Sequence, residues 1–80
     1  MDKKELSNKL LLEKIPQETY SLDGGLPYDK YCLSNSNGIW EVYYSERGGK
    51  FQLKEFDSEE EACEYFYKWI IERLKFDGII

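Results

Sequence analysis

Two runs of alternating apolar and polar residues, joined by a glycine-rich tetrapeptide, constrain the fold of this chain most. Residues 39–46 read Ile-Trp-Glu-Val-Tyr-Tyr-Ser-Glu and residues 51–56 read Phe-Gln-Leu-Lys-Glu-Phe. A period of two is typical of β-strands. Residues 47–50, Arg-Gly-Gly-Lys, stand between the runs, and glycine tolerates the positive φ of tight turns. The pattern predicts a β-hairpin.

The alternation gives each strand two faces of different character. In the first strand, the set without a carboxylate is predicted to face the core: Trp40, Val42 and Tyr44. Glu41 and Tyr43 are predicted to face solvent. In the second strand Phe51 and Leu53 share a face, and we expect Phe51 to join the core.

A third strand is predicted immediately upstream, over residues 28–34. The loop that follows it ends in Asn37-Gly38, and Asn-Gly is the strongest short signal for a hairpin. The three strands are therefore expected to form an antiparallel meander.

Each end of the chain carries a helix signal. Asp2 followed by Glu5 fits a capping box and predicts a helix over about 2–14, ended by Pro16. Ser58 with Glu61 is a second capping box, and it opens a helix that Gly78 can end.

The C-terminal helix is predicted to be amphipathic. Its apolar face consists of Ala62, Phe66, Trp69 and Ile70, with Cys63 and Leu74 at the edge. Its acidic face includes Glu60, Glu61 and Glu64. The expected fold class is α+β: an N-terminal helix, a three-stranded antiparallel meander, and a C-terminal helix packed on one face of the sheet.

Length and charge limit the domain organisation and the partners. Eighty residues predict a single small globular domain over 1–80. The net charge is −5, and residues 58–80 hold six acidic against three basic side chains. An acidic surface disfavours nucleic acid and anionic membrane as partners; it suits either solubility or docking onto a basic partner.

The sequence offers little catalytic or metal-binding chemistry. It contains no histidine, the commonest general base and zinc ligand, and no phosphate-binding or nucleophile motif. We therefore expect no enzyme, no cofactor and no metal site. Without an apolar leader segment, we expect a cytoplasmic protein in which Cys32 and Cys63 are buried, reduced thiols.

The element order also occurs in double-stranded-RNA-binding domains, which need basic residues at the start of the last helix to reach phosphates. Here residues 59–61 are all glutamate. Those carboxylates would repel a nucleic-acid backbone, which argues against this function.

The sequence resembles the small immunity proteins of bacterial polymorphic-toxin and contact-dependent inhibition systems. The resemblance rests mainly on Gly-Ile-Trp-Glu-Val-Tyr-Tyr-Ser-Glu-Arg-Gly at residues 38–48 and Phe-Asp-Ser-Glu-Glu-Glu-Ala-Cys at residues 56–63. Tyr-Ser-Leu at 20–22, Gly-Leu-Pro at 25–27 and Tyr-Cys-Leu at 31–33 add to it. It spans residues 15–69.

The resemblance implies a cytoplasmic protein that binds a cognate toxin domain and blocks its active site or functional surface. The acidic surface adds the hypothesis that carboxylates dock onto a basic active-site cleft, such as that of a nuclease. The surface residues expected to contact a basic toxin are Glu41, Tyr43, Glu46 and Arg47, followed by Glu60, Glu61 and Glu64. Two alternatives stay open: a small acidic interaction or inhibitor module with no link to a toxin, and a purely structural domain. The sequence leaves self-association open.

Overall fold

The computed structural model describes all 80 residues and has an α+β fold. The chain forms two α-helices, four strands and one short 3-10 helix. In chain order the elements are α1 (Lys3–Leu12), the 3-10 helix (Gln17–Thr19), β1 (Tyr20–Ser21), β2 (Lys30–Ser36), β3 (Ile39–Glu46), β4 (Gly49–Phe56) and α2 (Glu59–Phe76).

Both predicted helix N-caps are confirmed. The Asp2 carboxylate accepts a hydrogen bond of 2.8 Å from the backbone N–H of Glu5. The Ser58 hydroxyl accepts one of 3.1 Å from the N–H of Glu61. Each side chain satisfies a backbone donor that the first turn of a helix leaves without an internal partner.

Helix α1 ends earlier than predicted, and Pro16 does not end it. Lys14 adopts a φ of 59°, and the N–H of Ile15 bonds to the carbonyl of Leu10 while that of Lys14 bonds to Leu11, both at 3.0 Å. This is a Schellman motif, in which a left-handed residue closes the helix. The buried side chains of Leu10 and Ile15 supply the apolar residues that accompany it.

The sheet has four strands in the order β1-β2-β3-β4 and is mixed. Strands β2, β3 and β4 form the expected antiparallel meander. The prediction of a three-stranded sheet is wrong, because Tyr20 and Ser21 pair in parallel with Tyr31 and Cys32. A two-residue strand is too short to leave a periodic signal in the sequence.

Both antiparallel connections are two-residue turns. Asn37 and Gly38 have φ values of 52° and 87°, and Arg47 and Gly48 have values of 51° and 76°. Positive φ at both central residues defines the type I′ turn, whose twist matches that of paired strands. Both predicted hairpins are confirmed.

The two helices pack on one face of the sheet and enclose the main core. Its buried members are Leu6, Leu10, Ile15, Tyr31, Leu33, Val42, Ala62, Cys63, Phe66, Ile70 and Leu74. Trp40, Tyr44 and Trp69 are partly buried at its margin. The predicted core faces of β3 and α2 are thus confirmed.

Strand β4 is the exception to the predicted core. A β-bulge opposes Gln52 and Leu53 to Tyr43, so the paired positions shift between Val42 and Tyr44. Gln52 takes a φ of 56°, and the extra residue puts Phe51 and Leu53 on opposite faces. Phe51 is 49% exposed, so the prediction that it joins the core is wrong.

The face of the sheet away from the helices, here called the second face, is also covered. Residues 22–29 cross it as an irregular segment. The Ser45 hydroxyl donates a hydrogen bond of 2.7 Å to the carbonyl of Pro27, and Cys32, Tyr43 and Ser45 are all buried there. The prediction that this face of β3 meets solvent is therefore wrong.

Candidate partner-binding surface

Glu41 and Tyr43 form part of an internal network on the second face. Tyr43 is 1% exposed, and the Lys50 ammonium lies 4.8 Å from the centroid of its ring. The same ammonium donates a hydrogen bond of 2.8 Å to Glu41, which also accepts one of 3.3 Å from Ser34. These contacts link β2, β3 and β4 through their side chains, and they leave Tyr43 inaccessible to a partner.

The network shifts the titration of its members. The hydrogen bond to Glu41 raises the pKa of Lys50, and this effect outweighs the loss of solvation. Burial raises the pKa of the Tyr43 hydroxyl. Both shifts move the pKa values of Lys50 and Tyr43 further above neutral pH.

Glu46 and Arg47 lie at the β3–β4 turn and are accessible. The Arg47 side chain is 88% exposed, and its Nε lies 4.0 Å from a carboxylate oxygen of Glu46. A pair that is so open to water contributes little to stability. Either side chain is free to contact another molecule.

The three predicted carboxylates of α2, Glu60, Glu61 and Glu64, are exposed together. They line a depression of about 490 Å³ with Phe56, Tyr65 and Lys68, here called the acidic depression. No basic side chain lies within 4.0 Å of the three carboxylates. Only the N-terminal amine approaches one of them, at 3.8 Å from Glu64.

A line of five aromatic rings, here called the aromatic row, runs between α2 and the sheet. Its members are Phe56, Tyr65, Trp69, Tyr31 and Tyr44. Successive ring centroids are 5.3, 6.1, 4.9 and 4.9 Å apart, within the range of favourable ring pairs. The row links the acidic depression to the opposite end of α2.

At that opposite end lies a second cavity of about 380 Å³, here called the aromatic pocket. Tyr44, Phe51 and Trp69 form aromatic walls, and Glu46, Arg73 and Asp77 stand around it. Of the predicted contact residues, Glu46 alone lines it. The structure thus divides the accessible candidates between the two ends of the aromatic row.

Sequence reasoning missed the aromatic row and the aromatic pocket. One usable signal was present, because Tyr65 and Trp69 are four residues apart on α2 and so share a side of the helix. The pairing of Trp69 with Tyr31 depends on how α2 lies across the sheet, which no local pattern specifies.

The cysteines are buried and unbonded, as predicted. Cys63 belongs to the main core, whereas Cys32 lies on the second face. Burial raises the pKa of each thiol to about 11. No group of three or more histidine, cysteine, aspartate or glutamate side chains is arranged to hold a metal ion.

Neither helix is long and apolar enough to cross a bilayer. No protein-family model, curated protein or solved structure matches this chain.

Proposed function

We propose that this chain is an immunity protein, which binds a cognate bacterial toxin domain in the cytoplasm and blocks its active site or functional surface. The observation that carries the proposal is the acidic depression. There Glu60 and Glu61 stand exposed beside aromatic side chains, without a basic side chain within ion-pair distance.

This combination suits a partner with a basic surface, such as the substrate cleft of a nuclease. Like charges clustered on α2 would steer a basic partner and speed its association, an effect that weakens with salt. Phe56 and Tyr65, whose rings are 5.3 Å apart, would supply apolar area. Aromatic anchors of this kind usually set the dissociation rate.

The proposed contact residues differ from the sequence-based set. Glu60, Glu61 and Glu64 remain, joined by Phe56 and Tyr65 of the same depression. Glu46 and Arg47 remain as peripheral contacts near the aromatic pocket. Glu41 and Tyr43 leave the set because their internal network occupies them.

Part of the acidity has a structural role, and the experiment must separate it from binding. Carboxylates in the first turn stabilise a helix through its dipole, by about 0.3–1 kcal/mol each. Glu60 and Glu61 are in the first turn of α2, whereas Glu64 lies beyond it. Glu5, in the first turn of α1 and outside the acidic depression, provides a matched control.

The proposal predicts a toxin domain encoded directly upstream of this gene, and the test is co-expression with that domain. We expect rescue of cell growth and co-purification of the two proteins. Glu60→Gln with Glu64→Gln should weaken binding at low salt by at least about tenfold, as expected for steering charges at an interface. Glu5→Gln with Glu55→Gln removes the same charge outside the depression and should not weaken it. Absence of both rescue and co-purification would reject the immunity function.

A further inference from the structure

The aromatic pocket at the C-terminal end of α2 has the size of a ligand site. Its volume of about 380 Å³ falls in the range of roughly 300–1,000 Å³ that is usual for small-molecule pockets. Trp69 is half-buried and Phe51 is 49% exposed. The pocket therefore presents aromatic surface to solvent.

The charges around this pocket are mostly negative and largely unpaired. Asp77 has no basic group within 4.0 Å, and Glu46 is approached only by the outward-pointing Arg47. Arg73 is the one basic side chain of the lining. Its guanidinium lies over the ring of Phe76, 5.4 Å from the centroid, and pairs with neither carboxylate.

Two further features point to a negative potential at this position. Asp77 is the C-cap of α2, where an acidic side chain meets the negative end of the helix dipole. Burial is the main cause of the raised pKa of Tyr44, and the charges of Asp29, Glu46 and Asp77 add to it. A cation in the pocket would be attracted by these carboxylates.

We propose that the aromatic pocket binds an arginine side chain of the protein partner. A guanidinium is planar, stacks on aromatic faces and bonds to carboxylates through a fork of donors. Tyr44, Phe51 and Trp69 would supply the faces, and Glu46 and Asp77 the acceptors. The identity of the donor as a toxin residue rests on the proposed function, whereas the chemistry of the pocket does not.

The pocket can be tested on the isolated protein with N-acetyl-arginine amide as the probe. Trp40→Phe leaves Trp69 as the single tryptophan, so that fluorescence reports from the pocket wall. At constant ionic strength we expect a saturable change with a dissociation constant on the order of millimolar. N-acetyl-citrulline amide, of similar shape but uncharged, should bind at least about tenfold more weakly.

A matched pair of variants in this background separates the pocket from general charge. Glu46→Gln with Asp77→Asn should weaken the arginine probe at least about fivefold, since both carboxylates act as acceptors. Glu5→Gln with Glu55→Gln makes the same change in net charge at exposed positions outside both cavities and should leave binding unaltered. Far-UV circular dichroism verifies folding, and the single variant Glu46→Gln replaces the double one if that fails to fold.

Three results would overturn this proposal: no saturable response at about 100 mM probe, equal binding of the citrulline analogue, or equal weakening by both double variants. The outcomes are separable from those of the co-expression test. Rescue without arginine binding would reject the proposed arginine site and leave the immunity function supported. Arginine binding without rescue or co-purification would support the pocket as a guanidinium site and reject the immunity function.

Discussion

The hydroxyl of Tyr43 donates a hydrogen bond of 2.7 Å to the backbone carbonyl of Gly25. The bond joins strand β3 to the irregular segment 22–29, and its two residues are eighteen positions apart in sequence. The segment has no regular secondary structure of its own. This bond, the bond from Ser45 to Pro27 and the backbone bond from Gly24 to Leu33 hold it against the sheet.

Tyr43→Phe should lower the free energy of unfolding by about 1 kcal/mol, since it removes one hydrogen bond and keeps the buried ring. Urea unfolding monitored by circular dichroism measures the change. Tyr28→Phe is the control, because Tyr28 is 80% exposed and its hydroxyl makes no hydrogen bond within the protein. Equal losses in the two variants would mean that the Tyr43 bond contributes nothing specific.

Gly24→Ala should destabilise the protein more than Gly38→Ala. Both glycines have positive φ, of 68° and 87°, so both variants carry a backbone penalty of about 1–2 kcal/mol. A Cβ at Gly24 would also lie 2.7 Å from the Cβ of Ser34, whereas one at Gly38 meets nothing within 4 Å. We expect the clash to add about 1–3 kcal/mol, measured by thermal and urea unfolding; similar values would show that segment 22–29 shifts freely.

Lys14→Gly should stabilise the protein by about 1 kcal/mol. Lys14 closes α1 in a left-handed conformation, with a φ of 59°, which glycine adopts without steric cost. The control is Glu13→Gly, at a φ of −86°, where glycine gains nothing and should be destabilising. A fall in melting temperature for Lys14→Gly would mean that its side chain contributes more than its backbone costs.

Stability should fall as the pH rises from about 9 to about 11. The thiols of Cys32 and Cys63 have an ordinary pKa of 9.0, and burial raises each to about 11 in the folded protein. Below pH 9 the two thiols are protonated in both the folded and the unfolded protein. Between these values only the unfolded state releases the protons, which favours unfolding. Cys32→Ala with Cys63→Ala should flatten this slope in urea titrations; an unchanged slope would assign it to the tyrosines.

The elements with strong local signals were predictable from the sequence. Ser58 with Glu61 marked the start of α2, and Asn37-Gly38 marked a type I′ turn. Trp40, Val42 and Tyr44 marked the inner side of β3. Each signal acts within a few residues, because a cap, a turn and a pleat are local geometries.

The errors that concern the sheet involve non-local structure. The charge of Glu41 predicts that the second face meets solvent, yet Lys50 and Ser34 form hydrogen bonds with that carboxylate. The alternation predicts that Phe51 and Leu53 share a face, whereas the bulge at Gln52 keeps Phe51 on the side of Tyr44 and turns Leu53 to the second face. A bulge is fixed by the pairing of two strands, and a covering segment by its tertiary contacts.

Only part of the candidate site was predictable, because sequence patterns report local structure. Helical periodicity was sufficient to place Glu60, Glu61 and Glu64 together on an exposed side. The aromatic pocket joins β2, β3, β4 and α2, so its composition depends on how the helix crosses the sheet. The way in which a helix packs across a sheet has no signature in a single sequence.

The placement of the two thiols on opposite sides of the sheet gives the molecule a separate reporter for each layer. Both thiols are buried. We expect Cys32 to become accessible to a thiol reagent when residues 22–29 move away from the sheet, and Cys63 when the helical layer opens. Local openings in folded proteins range from nearly free to as costly as global unfolding. Labelling rates of the two single-cysteine variants would therefore distinguish transient opening of the irregular segment from opening of the helical layer.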